Sequence, residues 1–333
     1  MDKKEEEETL GKDDGNTFGK VVVGGLAGAG VAAGITGIAS AILFKKTLPR
    51  PNGVDESIVA EFADTEKMAE YAKKMEYIGV WAEGVSKEDI FITARDGIKL
   101  HAVYIPAEKP SKKLVILHHG YTSKAMDNST HAYFFHREGY EVLLLDLRAH
   151  GESEGEYVGF GILDRFDTEK WIEYAHERFG GDIKIVLHGT SMGGTTVLMA
   201  LGLESVQNSV SAVIADCAFT SPAEIFSHVM KKNYHIPITS PIINLNGMYS
   251  KKVVGYRFDE YSTQEALKDN KVPVLFVHGK EDKFVPTIMS EQNYEACKSR
   301  KQLLMVENAG HGSSIFENTE LYEETEKEFL KDI

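Results

Sequence analysis

The sequence predicts an α/β protein whose mostly parallel β-sheet is covered by helices on both faces. From about residue 86 to residue 333, short runs rich in Val, Ile and Leu alternate with helix-like stretches. This alternation is typical of parallel strands that are buried on both faces. Two further features organise the chain: an uncharged segment near the N-terminus, and two pentapeptides of the form G-x-S-x-G.

The N-terminal part of the chain changes from an acidic tail, residues 1–20, to a run without any charge, residues 21–44. A helix of that length can cross a bilayer core of roughly 30 Å, so the run is a predicted transmembrane helix. Two alternatives stay open. The glycines could form a dinucleotide-binding loop, although their spacing departs from G-x-G-x-x-G, or the run could be a signal peptide cleaved near Ala41.

Residues 45–85 form a predicted juxtamembrane segment, with an amphipathic helix at 55–79. A β-hairpin then joins EDIFITA to IKLHAVYIP. Six strand-like runs follow it, and they are LVILHH (114–119), EVLLLD (141–146), IKIVLH (183–188), SAVIADC (211–217), VPVLFVH (272–278) and QLLMVE (302–307). Helices are predicted near 126–138, 162–179, 192–204, 287–299 and 318–331. Ligand sites in such sheets lie beyond the carboxyl ends of the strands.

The composition excludes several classes of protein. A net charge of −14 without a basic stripe makes nucleic acid an unexpected partner. Cys217 and Cys297 follow no metal-binding spacing. The chain also lacks the H-E-x-x-H, EF-hand and Walker A patterns, so its chemistry is expected to need no cofactor and no metal.

The two G-x-S-x-G pentapeptides differ in their surroundings. Ser191 lies between the run IKIVLH and a helix-like stretch, which is the strand, sharp turn and helix that hold a nucleophilic serine above a sheet. Ser153 lies well past the end of EVLLLD, between Glu152 and Glu154, whose charges would oppose a developing oxyanion. Ser191 is therefore the predicted nucleophile, and Ser153 is a predicted loop residue.

Five motifs carry a resemblance to a known family. Five segments of the chain resemble, in the same order, the motifs of the α/β-hydrolase superfamily of serine hydrolases. They are HHGYTS, DLRAHGESEG, HGTSMGG, HGKEDKFVP and AGHG, and Ala149 stands in place of one glycine of the second. The resemblance covers about residues 86–333. It is closest to the small-lidded bacterial members, which include esterases, lipases and serine-aminopeptidase-like proteins, and it implies an α/β-hydrolase fold with a small helical lid.

Acyl transfer by a serine requires a base and a group that orients the base. His311 follows the last strand run and is the predicted base, while Asp282 follows VPVLFVH and is the predicted acid. Ser, Asp, His is the chain order of this fold. Two other residues are alternative candidates for this acid. Glu281 is adjacent to Asp282, but the spacing of the family motif selects Asp282, and Asp216 also ends a strand run.

The remaining predicted contacts concern the substrate. The oxyanion hole is expected to use the backbone N–H groups of Met192 and Tyr121. Residues 219–270 separate two strand runs and form a predicted lid over Ser191. Five apolar residues of this insertion are candidates for an acyl pocket, although each could equally be ordinary lid packing: Phe219, Phe226, Met230, Tyr234 and Met248.

The sequence thus predicts a serine hydrolase that cleaves a carboxylic ester of a small acyl substrate through an acyl-enzyme intermediate. Two alternatives stay open: an amide or peptide hydrolase with the same triad, and a non-catalytic membrane-tethered binding protein. The protein is expected to be attached to a membrane through a single N-terminal helix. Basic residues flank both ends of that helix, so its orientation is not decided, with a slight preference for an external catalytic domain.

Overall fold

The computed structural model describes residues 29–51 and 65–333. The acidic tail, residues 21–28 of the uncharged run, and residues 52–64 of the predicted amphipathic helix lie outside the described residues. The predictions for these segments therefore stay predictions.

Eight strands form one sheet in the order β1-β2-β4-β3-β5-β6-β7-β8. Strand β2 pairs antiparallel with both β1 and β4, and the other pairs are parallel. The strands are β1 (Glu88–Thr93), β2 (Lys99–Ile105), β3 (Lys113–His118), β4 (Glu141–Asp146), β5 (Lys184–Thr190), β6 (Val210–Asp216), β7 (Val274–Gly279) and β8 (Lys301–Val306). The predicted hairpin and the mostly parallel sheet are confirmed.

The helices connect and cover these strands. In chain order they are α1 (Ala29–Thr47), α2 (Thr65–Lys74), α3 (Glu76–Gly84), α4 (Ser129–Arg137), α5 (Asp164–Phe179), α6 (Met192–Ala200), α7 (Glu204–Ser209), α8 (Pro222–Asn233), α9 (Ser240–Val253), α10 (Thr263–Leu267), α11 (Ile288–Ala296), α12 (Ser314–Glu317) and α13 (Thr319–Leu330), with a 3₁₀ turn at Ala125–Asn128. Helices α7, α10 and α12 were not predicted, because four to six residues are too few to show a helical period.

The single amphipathic helix predicted at 55–79 is wrong in its described part. Two helices, α2 and α3, meet at Met75, whose φ of −102° and ψ of 12° interrupt the helical backbone. Side chains of α2 hold the loop that follows β8 and the short helix α12 after that loop. Lys67 Nζ donates to the Asn308 carbonyl in the loop at 3.0 Å, and Lys74 Nζ donates to the Phe316 carbonyl in α12 at 2.9 Å. This helix therefore supports the loop that carries His311.

The chain divides into two compact units. The helical unit comprises Met1–Thr47 and Pro222–Glu260, and the sheet unit comprises Leu48–Ser221 and Tyr261–Ile333. The insertion predicted at 219–270 thus contributes a shorter segment to the helical unit, with α8 and α9 as its helices.

Within the helical unit, α1 packs along α9. Asn246 Nδ2 donates to the Ser40 carbonyl at 2.6 Å, and the rings of Phe44 and Tyr249 lie edge to face with centroids 4.6 Å apart. Ala39 and Ser40 are buried. The described part of the uncharged run and the helices of the predicted lid, which the sequence suggested were separate, therefore share one packed unit.

No helix in the described part of the chain is both long enough and apolar enough to cross a membrane. The described part of helix α1, Ala29–Thr47, continues past the uncharged run through Lys45 and Lys46. The transmembrane prediction for residues 21–44 is not supported by the described residues, and residues 21–28 lie outside them.

The segment that follows α1 belongs to the sheet unit. Leu48 is fully buried, and its carbonyl accepts a hydrogen bond from the Val158 amide at 2.8 Å. The Arg50 guanidinium donates to the carbonyls of Ser153, at 2.6 Å, and Gly151. Arg50 is thus a structural residue of the sheet unit, and a chain that began at Pro51 would lose these contacts.

Candidate active site

Ser191 lies at a sharp turn between β5 and α6. Its φ of 57° and ψ of −116° place a non-glycine residue in the left-handed region, which costs energy and is typical of a nucleophile elbow. The flanking glycines permit the turn. A Cβ on Gly193 would lie 2.2 Å from the His118 carbonyl oxygen, and a Cβ on Gly189 would lie 2.3 Å from the Gly193 backbone. Strand and helix can approach this closely only without those side chains.

A chain of hydrogen bonds links three of the predicted residues. Ser191 Oγ lies 2.8 Å from His311 Nε2, and His311 Nδ1 lies 2.7 Å from Asp282 Oδ2. In the tautomer with the proton on Nδ1, the imidazole donates to the carboxylate and accepts from the serine hydroxyl. These three side chains come from the ends of β5, β7 and β8, which the parallel sheet brings to the same edge.

Asp282 is held as a carboxylate by several donors. Its Oδ1 accepts the backbone N–H groups of Phe284, at 2.8 Å, and Val285, at 2.9 Å. Its Oδ2 lies 3.1 Å from His278 Nε2 as well as close to His311. Burial alone would raise the pKa of Asp282, but the charge of His311 and the hydrogen bonds from both histidines outweigh burial and lower that pKa.

His311 has the opposite shift. Burial lowers the pKa of its imidazole, yet the negative charge of Asp282 outweighs that effect and raises the pKa above the ordinary histidine value. The ring also packs edge-on against Phe284, with centroids 5.0 Å apart. The Cys217 thiol lies beside it, and burial raises the pKa of that thiol to about 11. The charge of Asp282 that raises this pKa also stabilises the imidazolium that forms when a serine is deprotonated.

The two competing acids occupy other positions. Asp216 is buried, accepts a hydrogen bond from Ser314 Oγ at 3.4 Å, and has its pKa raised to about 6, mainly by burial. Its carbonyl accepts the Ser191 amide at 2.8 Å, so it supports the elbow through the backbone. Glu281 is exposed, and its amide donates to the Ala309 carbonyl at 2.9 Å. Neither of these carboxylates has a hydrogen bond to His311 in the described residues.

The second pentapeptide has a structural explanation. Ser153 is buried, its hydroxyl donates to the Asp146 carbonyl at 2.5 Å, and it accepts the His101 amide at 2.8 Å. The Asp146 carboxylate accepts the amides of Ala125, at 2.7 Å, and Glu152, at 2.8 Å. Ser153 thus closes the loop after β4, and no side-chain base in the described residues bonds its hydroxyl.

Two neutral histidines fix the loop that carries Tyr121. The Leu147 amide donates to His119 Nε2 at 3.0 Å, and the Thr122 amide lies 3.3 Å from His150 Nε2. Burial lowers the pKa of both imidazoles, to about 4 for His119 and about 3 for His150, so each stays neutral and can accept. The histidines of the loop motifs are therefore positioning residues.

Both predicted oxyanion donors lie in suitable local structures. Met192 is the first residue of α6, and the first N–H groups of a helix have no intrahelical acceptor. Tyr121 follows Gly120, whose missing Cβ would lie 3.5 Å from the Ser191 Cβ. The Tyr121 ring stacks on Phe160 with centroids 5.3 Å apart, which fixes the direction of this loop.

The five predicted pocket residues do not share one environment. Phe219 belongs to the sheet unit and is buried, whereas the other four belong to the helical unit. Phe226 and Met230 are buried there, with the Phe226 ring on Phe258 at a centroid distance of 5.0 Å. Tyr234 and Met248 are exposed, Met248 by 62%. Their assignment to an acyl pocket stays a prediction.

Two groups of described side chains have the types and spacing of metal ligands. His131, His188 and Glu326 are buried together, with the two imidazole rings 4.2 Å apart. Cys217, Asp282 and His311 form the other group. Because the second group contains the Asp282–His311 hydrogen bond, an ion bound there would compete with that bond.

Two family models match the part of the chain that contains this site. The model described as alpha/beta hydrolase fold matches residues 113–234, and the model described as Serine hydrolase (FSH1) matches residues 189–312. Both matches indicate a serine hydrolase of the α/β-hydrolase superfamily. The predicted family and the predicted enzyme class are confirmed.

Curated relatives of this hydrolase cover most of its length. The Bacillus subtilis protein YqkD is 28% identical over 249 residues, which are 74% of this chain and 80% of that protein. The Arabidopsis thaliana alpha/beta hydrolase domain-containing protein WAV2 is 26% identical over 257 residues, which are 73% of this chain and 78% of that protein.

Solved structures share the fold. A structure of the Pyrococcus furiosus esterase Pf2001 superposes with a TM-score of 0.61 at 22% identity, covering 78% of this chain and 93% of that one. The Butyrivibrio proteoclasticus protein Est1E, solved with ferulic acid bound, superposes with a TM-score of 0.54 at 19% identity, covering 73% and 98%. Likeness at this level supports the α/β-hydrolase fold.

Sequence reasoning missed some of the site. It did not foresee that His278 Nε2 would lie 3.1 Å from Asp282, with His278 Nδ1 2.6 Å from Ser290 Oγ. The signal was available, because His278 ends the apolar run of β7 only four residues before the predicted acid. Nothing in the sequence indicated that α2 would support the loop of His311.

Replacing Gly193 by alanine is expected to destabilise this hydrolase. Alanine favours a helix interior over glycine by about 1 kcal/mol, but the new Cβ would lie 2.2 Å from a backbone carbonyl oxygen, and overpacking costs about 1–3 kcal/mol. The matched control is Gly79→Ala in α3, where a Cβ would meet nothing within 4 Å. Thermal unfolding should show a lower Tm for the first variant and an equal or higher Tm for the second. An unchanged Tm for Gly193→Ala would contradict the close packing of the elbow.

Proposed function

We propose that this hydrolase cleaves a carboxylic ester of a small acyl substrate, with Ser191 as nucleophile, His311 as base and Asp282 as the acid that orients the base. The observation that carries the proposal is the continuous chain of hydrogen bonds from Ser191 Oγ through both nitrogens of His311 to Asp282 Oδ2, at 2.8 and 2.7 Å. A serine hydroxyl becomes a useful nucleophile only when a base removes its proton.

The proposed cycle has two half-reactions. His311 Nε2 takes the proton as Ser191 Oγ attacks the ester carbonyl, and the resulting imidazolium returns it to the leaving alcohol, which leaves an acyl-enzyme. Water, deprotonated by the same imidazole, then releases the acid. Asp282 stays ionised throughout, since four donors surround its carboxylate, and its charge stabilises the imidazolium in both steps.

The negative oxygen of each tetrahedral intermediate would be bound by the amides of Met192 and Tyr121. The start of α6 at Met192 supports the first donor, because the positive end of the helix dipole points to the same place. The loop fixed by His119 and His150 supports the second. Loss of one such donor typically costs about 2.7–4 kcal/mol of transition-state stabilisation.

The substrate class can be tested with matched leaving groups. Purified full-length protein should hydrolyse p-nitrophenyl esters of short and medium acyl chains with a larger kcat/KM than aminoacyl p-nitroanilides. A fluorophosphonate probe should label the protein, and the labelled peptide should contain Ser191. Faster anilide cleavage would favour the amide-hydrolase alternative, and neither turnover nor labelling in folded protein would favour the binding-protein alternative.

Attachment to a membrane through residues 21–44 is also a proposal, with a slight preference for an external catalytic domain. It is supported by the absence of charge over the whole run. Full-length protein should sediment with membranes and resist carbonate extraction. A Leu26→Arg/Val31→Arg double variant should be extracted, because each arginine in a bilayer core costs about 2.5–3.5 kcal/mol. A Thr9→Arg/Leu10→Arg control in the acidic tail should behave like the unchanged protein.

A further inference from the structure

Helix α9 has apolar side chains on two sides: Ile242 and Ile243 are buried, whereas three other large apolar side chains lie on the outside. Leu245, Met248 and Tyr249 are exposed by 40%, 62% and 51%, while Asn246 and Ser250 are buried. The exposed side of α9 therefore carries large apolar side chains where a helix packed on a core usually carries polar ones. The exposed residues lie at positions i, i+3 and i+4, so they form one stripe along the helix.

Helix α1 carries the same pattern. Ile38 is exposed by 63%, Ala41 and Ile42 are also exposed, and Ser40 is buried against Asn246. The exposed positions again follow i, i+3 and i+4, and in both helices an exposed lysine comes at i+7. That lysine is Lys45 in α1 and Lys252 in α9.

The two stripes lie side by side in the same direction. Ser40 contacts Asn246 and Phe44 contacts Tyr249, so residue numbers rise together along the packed pair and the helices are parallel. Both lysine-bearing ends therefore lie at the same end of the pair. We call the residues Ile38, Ala41, Ile42, Leu245, Met248 and Tyr249, with Lys45 and Lys252, the α1–α9 face.

We propose that the α1–α9 face docks on a lipid bilayer that contains anionic headgroups. The apolar stripes would enter the boundary between headgroups and acyl chains, and the lysines at one end would lie at the level of the headgroup phosphates. A membrane-facing role for Met248 takes the place of its role in an acyl pocket.

Two observations select a bilayer as the occupant. Charge is complementary, because Lys45 and Lys46 end α1 and Lys252 lies in the last turn of α9, in a chain whose net charge is −14. The neighbouring Lys251 is paired with Glu260 at 2.9 Å. The face is also continuous in sequence with the uncharged residues 21–28 that directly precede α1. The inference deepens the proposed membrane attachment, but it does not require residues 21–28 to span the bilayer.

The test uses site-specific dyes on full-length protein reconstituted in vesicles. Both native cysteines are at most 1% exposed, so an environment-sensitive thiol dye should react with a cysteine introduced by Met248→Cys or Ile38→Cys. Val80→Cys is the control, since Val80 is 68% exposed but lies outside the face. Quenching by nitroxide-labelled lipid reports contact with the bilayer, and quenching by iodide reports contact with water.

The dyes at 248 and 38 should be quenched by the lipid and protected from iodide in vesicles of phosphatidylcholine with phosphatidylglycerol. The dye at 80 should show the reverse. When Lys45→Glu and Lys252→Glu are added, the dye at 248 should be quenched less by the lipid and more by iodide. The ratio of lipid quenching to iodide quenching should fall by about fivefold per lysine. In vesicles of phosphatidylcholine alone, the lysine changes should have little effect.

The outcomes separate the α1–α9 face from the N-terminal anchor. Carbonate-resistant protein whose dye at 248 stays open to iodide would overturn the face and leave the anchor. Carbonate-extractable protein whose dye at 248 is quenched by lipid would overturn the anchor and support the face. Protection from iodide without lipid quenching, rising with protein density in the vesicle, would assign the face to a second copy of the chain and overturn the proposal.

Discussion

Ser191→Ala is expected to lower kcat/KM for p-nitrophenyl butyrate by about 10⁴- to 10⁶-fold, and to remove fluorophosphonate labelling. The Ser191 hydroxyl lies 2.8 Å from the nitrogen of His311 that would receive its proton. Without Oγ no acyl-enzyme can form, and only the oxyanion donors and substrate binding would still accelerate attack by water. Stopped assays on protein of verified fold, measured against the uncatalysed rate, give the residual activity.

Ser153→Ala is the matched control, because Ser153 occupies the other G-x-S-x-G pentapeptide. Its hydroxyl bonds the Asp146 carbonyl and accepts the His101 amide, so its removal should lower the stability by about 1–3 kcal/mol. Below the Tm of that variant, labelling and turnover should be close to those of the unchanged protein. Labelling that persists in Ser191→Ala and disappears in Ser153→Ala would reverse the proposed assignment.

The choice between these serines shows how much the sequence could predict. Apolar runs without polar alternation indicated a mostly parallel sheet, and a strand, turn and helix around Ser191 indicated an elbow. Since parallel strands bring their carboxyl ends to one edge, residues after β5, β7 and β8 were expected to meet there. The distances between Ser191, His311 and Asp282 agree with that expectation.

Other features required tertiary information. An apolar stripe in a sequence shows that one face of a helix is apolar, but it does not show whether that face meets protein, solvent or lipid. The lid sequence therefore suggested Met248 as a pocket residue, and it could not show that this side chain is 62% exposed on α9. Helix α1 packs on α9 through Asn246 and Phe44. Nothing in the sequence indicates that Asn246 would bond a residue 206 positions away.

Asp282→Asn is expected to lower kcat by about 10⁴-fold while leaving the fold intact. The asparagine oxygen can still accept the amides of Phe284 and Val285, which bond Oδ1 of the aspartate. Its NH₂ group, in the place of Oδ2, cannot accept from His311 Nδ1–H. The imidazole would then carry its proton on Nε2, where it can no longer accept the proton of Ser191.

The pH dependence supplies a second measurement on the same variant. The active form of His311 is neutral, and the charge of Asp282 raises the pKa of that imidazole above its ordinary value of about 6.5. For the unchanged protein, kcat/KM should therefore fall with decreasing pH through an apparent pKa above about 6.5. Removing the negative charge in Asp282→Asn should move this acid limb to lower pH, because the imidazolium loses its stabilising partner.

Asp216→Asn is the control, since the hydrogen bonds of Asp216 do not reach His311. It should change kcat and the acid limb much less than Asp282→Asn does. A large loss of kcat in Asp216→Asn, with an unchanged acid limb in Asp282→Asn, would show that the other carboxylate orients the base.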